Sequence, residues 1–407
     1  MKGMKKMASK KRIRDVLFPE GGKIRSWLRT LNRFVHSIFS PKYVKEQIKS
    51  IKNVGWKATF REMKRYMVMG TLAEPENIYE KWIELNEPKE EDLQKQRETK
   101  FKNQPKISII IPMYHTPVKF FDELVDSLIS QTYSNWELCL ADGSEEQNKK
   151  LEPIYKKDSR IKYKFMGENK GIAGNTNAAL EMATGDYIGL LDHDDILPVF
   201  SLYEVVKAIN NHPEADFIYS DEDKIVAGGT KRFQPYFKPN FNIDLLRANN
   251  YICHLFVVRM SIAKQVGILN PDLDGAQDYD YILRCAEKTD SIYHIPKILY
   301  HWRCHENSTS LNPDSKLYAF KAGKKALEDH IKRKKIDAKV EEGSYHGTYH
   351  IIYRYCERTP ITIIVVGDRI YDKACMDSIE CSSKYANKNY LFIEKKEQIK
   401  EVVKDIR

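Results

Sequence analysis

Ile107-Ser108-Ile109-Ile110-Ile111-Pro112 is a nearly unbroken run of β-branched residues. Such residues are stiff at χ1 and favour extended backbone. A strand that is apolar at successive positions has no face to offer water, so it has to be covered on both sides, as in a parallel sheet layered with helices. The following segments keep that pattern. Thr116-Pro117 starts a helix whose apolar stripe is Leu124, Val125, Leu128 and Ile129. Residues 136–141 read as a second strand, 161–165 as a third, 171–182 as a helix, and 187–191 as a strand. This alternation predicts an α/β fold, with a mostly parallel sheet and helices on both faces. At 407 residues the chain has room for two or three domains.

The strand Tyr187-Ile188-Gly189-Leu190-Leu191 runs into Asp192-His193-Asp194-Asp195. Clustered carboxylates repel one another, and a divalent cation is the usual compensation; hard oxygen ligands suit Mn2+ or Mg2+. Asp192 and Asp194 point to one side if the strand continues. The bland alternative is a solvated acidic turn. In open α/β sheets ligands bind beyond the carboxyl ends of the strands. Residues 112–116, 142–144 and 192–195 all fall at such ends, which predicts one crevice built from three segments.

Charge is unevenly spread. The chain carries net +10, yet residues 1–69 hold 19 Lys and Arg against four acids, leaving the remainder net negative. Trp27, Leu28, Leu31, Phe34, Val35, Ile38 and Phe39 recur there at helical spacing. Residues 1–70 therefore read as basic amphipathic helices suited to an anionic membrane surface, or else as a helical cap or partner-binding segment. No nucleic-acid module accompanies the charge, so nucleic acid is not an expected partner. Residues 71–104 read as a charged helical linker. No run approaches the roughly 20 apolar residues of a membrane-spanning helix. No signal peptide is read, and the seven scattered cysteines include no Cys-x-x-Cys pair. A cytoplasmic protein with reduced thiols, peripheral on the inner face of the plasma membrane, is expected.

Ile107-Ser-Ile-Ile-Ile-Pro-Met-Tyr, Gln131-Thr-Tyr-Ser-Asn-Trp-Glu-Leu, Ala141-Asp-Gly-Ser, Asn169-Lys-Gly-Ile-Ala-Gly-Asn-Thr-Asn-Ala and Thr184-Gly-Asp-Tyr-Ile-Gly-Leu-Leu-Asp-His-Asp-Asp follow in the order and spacing of the family 2 glycosyltransferases. Gly275-Ala-Gln-Asp-Tyr-Asp and His301-Trp-Arg-Cys-His-Glu-Asn-Ser-Thr resemble the branch that builds bacterial surface polysaccharides, including rhamnosyltransferase-like members. The resemblance covers roughly residues 78–330. It implies a GT-A fold over residues 105–335 and an inverting, metal-dependent transfer. The donor would be a UDP- or dTDP-linked sugar, and the acceptor a hydroxyl of a lipid-linked or polysaccharide glycan such as O-antigen, capsule or wall polymer.

The resemblance also implies roles. Asp194 would bind the metal, Asp192 would support it or touch the ribose, and His305 would add an imidazole, with His301 second. Asp142 would recognise the nucleobase, although Ala141 stands where the family often has another acid. Pro112, Tyr114, Lys170 and His193 complete the donor-binding set. Asp278 would be the general base, since inversion needs a group to take the acceptor proton. Its partner is Gln277 where the family has Glu. Asp280 is its understudy, and a helix cap is its bland alternative.

Other clusters invite other readings. His301, Cys304 and His305 have zinc-like spacing without a fourth ligand. Tyr219-Ser220-Asp221-Glu222-Asp223-Lys224 could rival the first acidic site, but reads as an acceptor-side loop or a solvated turn. Asn249-Asn250-Tyr251-Ile252-Cys253-His254 belongs with the acceptor half, His254 being a minor candidate for sugar contact. Ser308 and Thr309 fall where a flap could close. Ile361-Thr-Ile-Ile-Val-Val echoes the first strand at an offset of 254, and Asp377-Ser378-Ile379 and residues 389–393 echo the helix and strand after it at offsets of 251 and 254. Residues 336–407 thus read as a truncated, noncatalytic second repeat. A noncatalytic glycan-binding or scaffold protein and a nucleotidyltransferase are the competing functions.

Overall fold

The computed structural model describes residues 75–226, 231–304, 317–354, 359–366, 373–383 and 385–393. The basic segment 1–70, the flap residues Ser308 and Thr309, and His305 lie outside the described residues. The chain divides into two units, Met1–Lys89 and Glu90–Arg407. In the first, α1 spans Pro75–Asn86.

The second unit starts with α2 (Glu90–Glu98), which carries acids in its first turn and bases in its last, as the helix dipole favours. Next come β1 (Ile107–Met113), α3 (Val118–Ile129), β2 (Trp136–Asp142), α4 (Glu152–Tyr155), β3 (Ile161–Phe165), α5 (Gly171–Leu180), β4 (Tyr187–Leu190) and α6 (Ser201–Asn211). Then follow β5 (Phe217–Val226), β6 (Arg232–Tyr236), α7 (Ile243–Ala248), β7 (Phe256–Arg259), α8 (Met260–Val266), α9 (Gln277–Ala286), β8 (Ile292–Cys304) and α10 (Leu317–Arg333). Strands β1 to β8 form one mixed sheet in the order β3-β2-β1-β4-β7-β5-β6, with β8 on the other side of β5. β1 pairs in parallel with β2 and β4, β2 with β3, and β5 with β8, whereas β7 is antiparallel to both neighbours. This is the mostly parallel α/β sheet that the apolar runs predict.

Register fixes where the loops meet. Met113 lies opposite Asp142, and Ile110 opposite Leu190. Because these strands run the same way, the segments after Met113, Asp142 and Leu190 leave the sheet along one edge. One core layer joins β1 and β2 to α3 through Phe121, Leu124, Val125 and Leu128; the other packs Ala173, Ala178 and Ala179 of α5 against the opposite face. The small residues of α5 let that helix approach the sheet closely.

At the amino ends of the strands sits a buried carboxylate, Glu137 of β2. Its Oε1 accepts from Ser108 Oγ of β1 at 2.7 Å and from the Thr184 N–H before β4 at 2.6 Å. Its Oε2 lies 2.6 Å from Lys106 Nζ and 2.9 Å from Lys162 Nζ of β3. Burial alone would push this carboxyl up; the two ammonium groups and the hydroxyl and N–H donors outweigh it and hold it well below the usual carboxylate range.

Beyond the main sheet, β9 (Ala338–Glu342) and β10 (Tyr349–Tyr353) form an antiparallel hairpin, and β11 (Ile361–Val366) and β12 (Lys388–Ile393) form a parallel pair joined through α11 (Lys373–Ser382). Ile361 lies opposite Lys388, just as Ile107 lies opposite Trp136. The structural offset of the second strand is therefore 252, two residues from the 254 read in sequence. A slip of two keeps every side chain on its face.

Glu137→Ala should cost about 3 kcal/mol at pH 7 in urea unfolding, as expected for one partner lost from a buried ionic cluster. The folded carboxyl is depressed, so its contribution is present above its unfolded pKa of about 4.3 and is lost as pH falls below it. Wild type and variant should converge in stability on acidification. A gap that stays constant with pH would contradict the clamp.

Candidate active site

The cavity at this sheet edge holds about 270 Å³. β1 contributes Ile110 and Pro112, the end of β4 contributes Leu190, Leu191 and Asp192, and the loop before β7 contributes Asn250, Cys253 and His254. The start of α9 adds Gln277 and Asp278, and a further wall comes from Phe320 and Gly323 of α10 with Tyr349 of β10. That wall is tightly fitted: a Cβ on Gly323 would stand 2.1 Å from Tyr349 Oη.

The three aspartates after β4 have different fates. Asp195 is fully buried; it accepts from the Arg303 N–H at 2.7 Å and from the Tyr300 hydroxyl. Burial, then the charges of Asp194 and Asp192, push its carboxyl well up. Asp194 accepts from Arg303 Nε through its backbone carbonyl at 2.6 Å. Asp192 alone of the three lines the cavity; its side chain is 48 % exposed, and its Oδ2 lies 3.8 Å from His254 Nε2. The His254 ring stacks on Tyr300 at 4.5 Å, and its Nδ1 is buried without a hydrogen-bond partner among the described residues.

Asp192, Asp195 and His254 form the one grouping of possible metal ligands among the described residues. Asp194, expected on the metal, is not in it, and His305 lies outside the described residues. Asp195 is a poor ligand, since its oxygens are already bonded and burial favours its neutral form. The pair facing the cavity is a carboxylate and an imidazole. That donor set fits one hard divalent cation with positions left open for an oxygen-rich ligand.

Asp278 sits in the first turn of α9, inside the helix rather than at its N-cap position. The N-cap is Ala276, without a side-chain cap bond, and Asp278 Oδ2 accepts from Asn250 Nδ2 at 2.8 Å. Burial pushes the Asp278 carboxyl up; His254 and the Tyr279 N–H pull it down, and the charge of Asp192 adds to the rise. Gln277 turns back to accept from the Gly275 N–H at 2.7 Å. Asp280 is buried in an ion pair with Arg284, at 2.8 Å, and does not line the cavity.

The donor-side residues are less gathered. Pro112 lines the cavity, whereas Tyr114, Asp142, Lys170 and His193 do not. Asp142 is buried, with one oxygen taken by Ser144 and the other by the Tyr163 hydroxyl at 2.7 Å. The exposed Tyr114 donates to Glu145 at 3.1 Å, and Lys170 pairs with Glu168 at 3.0 Å. His193 Nδ1 is buried without a partner among the described residues.

The second acidic run is neither a loop nor a solvated turn. It forms β5, and its carboxylates are paired inside the sheet: Asp221 with His294, at 2.7 Å, and Asp223 with His301, at 2.5 Å, both histidines on the neighbouring β8. Alternation along the strand sends Glu222 the other way, to Lys238 at 3.1 Å. His301 is thereby committed to Asp223. His254 and Asn250 emerge as the residues the sequence undervalued; their signal was an apolar loop carrying isolated polar side chains.

Asp274, just before α9, crosses to α5. Its carboxylate accepts from the N–H groups of Ile172, at 3.1 Å, and Ala173, at 2.8 Å. A carboxylate at a helix N-terminus satisfies orphan donors and meets the positive end of the dipole. Gly171 makes the approach possible: its φ is 75°, and a Cβ there would stand 2.0 Å from Asp274 Oδ2. Asp274→Ala should cost about 1 kcal/mol, and Gly171→Ala more, because it adds both the strained φ and the clash. Thermal unfolding of the two variants checks the order; an equal or reversed ranking would contradict it.

Residues 108–267 match the family described as Glycosyl transferase family 2. Over 299 residues the chain is 39% identical to "Uncharacterized protein y4gI" of Sinorhizobium fredii, an alignment covering 71% of this chain and 32% of the relative. It is 31% identical over 320 residues to "O-antigen biosynthesis protein RfbC" of Myxococcus xanthus, covering 77% of this chain and 25% of the relative. The chain thus spans about a third or less of these relatives. Among solved structures, S. aureus TarS 1-349 in complex with UDP-GlcNAc superposes with a TM-score of 0.46 at 18% identity, covering 56% of this chain and 66% of that one. Residues 108–267, with their ordered motifs on a mostly parallel sheet, form a glycosyl transferase family 2 domain.

Proposed function

We propose that the chain is an inverting, metal-dependent glycosyltransferase. It moves a sugar from a UDP- or dTDP-linked donor to a hydroxyl of a growing surface glycan, on a lipid-linked or polysaccharide acceptor. The observation that carries this reading is that Asp192 and Asp278 line one cavity, close enough for the charge of Asp192 to act on Asp278. Similarity to a protein named for O-antigen biosynthesis supports the choice of glycan.

Asp192 and His254 would hold Mn2+ or Mg2+, which supplies Lewis-acid neutralisation of a departing diphosphate. Asp195, anchored on Tyr300 and Arg303, fixes the turn that presents Asp192. Asp278 takes the proton of the acceptor hydroxyl at its carboxylate. A base of ordinary carboxylate strength would be poor at neutral pH, and burial together with the Asp192 charge moves Asp278 toward a more useful range. Asn250 orients that carboxylate through Oδ2. The nucleoside half of the donor is proposed to lie over the ends of β1 and β2, past Pro112 and Tyr114 toward Lys170 and His193. Asp142 would hold the turn at Ser144 on which the base rests.

Asp278→Asn should lower transfer by roughly 10²- to 10⁴-fold while leaving nucleotide binding by calorimetry intact. The acid limb of the wild-type rate profile should lie above an unperturbed Asp value of about 3.9 and vanish in that variant. Normal transfer by Asp278→Asn would remove the base assignment. Asp192→Ala should abolish Mn2+-dependent nucleotide binding in a folded protein; Asp194→Ala and His305→Ala in the same titration decide whether those residues also serve the cation.

No helix among the described residues is long and apolar enough to cross a membrane. Residues 1–70 are proposed to bring the enzyme to the inner membrane face, so deletion of 1–69 should release it from anionic vesicles. Residues 336–407 are proposed as a noncatalytic second repeat, a reading supported by the parallel β11–β12 pair and the helix between them.

A further inference from the structure

Lys238 follows β6, and its side chain is fully buried. Its ammonium donates to Glu222 Oε2 at 3.1 Å, to the Ile252 carbonyl at 2.7 Å and to the His254 carbonyl. An ammonium has three donors, and all three are used inside the protein. Its backbone N–H is fixed as well, donating to Asp221 Oδ1 at 2.9 Å. The two carbonyls flank Cys253, whose φ of 40° is unusual for a residue with a side chain. The stretch between α7 and β7 has no helix or strand to hold it. It nonetheless carries Asn250, which holds Asp278, and His254, which faces Asp192.

We propose that Lys238 is a positioning residue for the transfer site, its buried ammonium pinning the carbonyls of Ile252 and His254 to Glu222 and so setting His254 against Asp192 and Asn250 against Asp278. The ammonium touches no cavity surface and acts only through this loop. Its replacement leaves Glu222 as a buried carboxylate without its cation, which is costly in itself. Replacing both partners with apolar residues of similar volume removes that cost and still frees the loop. The inference rests on reading the cavity as a transferase site, and one of its measurements does not.

The test uses the full chain as wild type, Lys238→Met, the pair Lys238→Met with Glu222→Met, and Arg259→Met. Arg259→Met breaks an ion pair with Asp216, on β7 but outside the cavity lining, and calibrates general destabilisation. Iodoacetamide alkylation of Cys253, followed by peptide mass spectrometry without any ligand, reads loop opening. The rate should rise about tenfold or more in whichever Lys238 variant folds and stay near wild type in Arg259→Met. Affinity for Mn2+ alone should weaken by roughly 10- to 100-fold, the usual cost of losing an outer-shell support. Transfer should lose kcat more than donor KM rises. A folded Lys238 variant whose Cys253 alkylates at the wild-type rate overturns the proposal, as does an equal rise in Arg259→Met. If neither Lys238 variant folds, Glu222→Gln, which keeps the shape and weakens the grip on the ammonium, must speed alkylation severalfold or the proposal falls. If wild type binds neither Mn2+ nor UDP, the transferase reading fails while the alkylation rates still decide the role of Lys238.

Discussion

The structure depends on one carboxylate that does no chemistry. Glu137 draws Lys106, Ser108, Lys162 and Thr184 together, and these residues sit at or just before the starts of β1, β3 and β4. Parallel strands have no short turn to fix their relative register; their connections are long and forgiving. A polar cross-link at their starting ends supplies that missing constraint. With the starts locked, the opposite ends finish together, and the loops after them share one crevice. The cost of burying Glu137 is offset because one oxygen meets two ammonium groups and the other meets hydroxyl and N–H donors at hydrogen-bonding distance.

Charge in the rest of the sheet is managed by the same rule. Asp221, Glu222 and Asp223 are consecutive acids inside a strand, and each has its own cationic or imidazole partner on a neighbouring element. Asp195 has no such cation in contact with its carboxylate among the described residues; burial and the charges of Asp194 and Asp192 push it toward its neutral form, against the Tyr300 hydroxyl and the Arg303 N–H that donate to it. Asp192 and Asp278 are the carboxylates left facing the cavity. Among the described residues, pairing and burial thus leave two acids lining this cavity.

The fold was legible because strands covered on both faces leave an unambiguous apolar signature. Ile107 to Met113, Trp136 to Asp142 and Tyr187 to Leu190 stand where their composition put them. The acidic stretch after β4 was legible as lying at the end of a strand, but not which of its acids faces the cavity. That depends on Tyr300 and Arg303, more than a hundred residues away in the chain. β5 was misread because buried acids look like a loop until their partners on β8 and in the Lys238 segment are known. His254 was undervalued for the same reason: its significance comes from lying beside Asp192, and sequence separation hides that proximity. The strands β11 and β12 were visible as an echo of the first two, but their register came only from the pairing of Ile361 with Lys388.

The contact from Asp274 to the amino end of α5 has a mechanical consequence. Two walls of the crevice, α5 and the loop that leads into Asp278, are bolted together at a single carboxylate. Neither can swing away from the other without stripping two N–H groups of their acceptor, which braces the gap between them. The opposite side is no looser: α10 and the β9–β10 hairpin meet over Gly323, where no side chain fits, and the Tyr349 hydroxyl donates to the Phe320 carbonyl at 2.9 Å. The crevice is thus braced on both flanks, like a vice with neither jaw left loose.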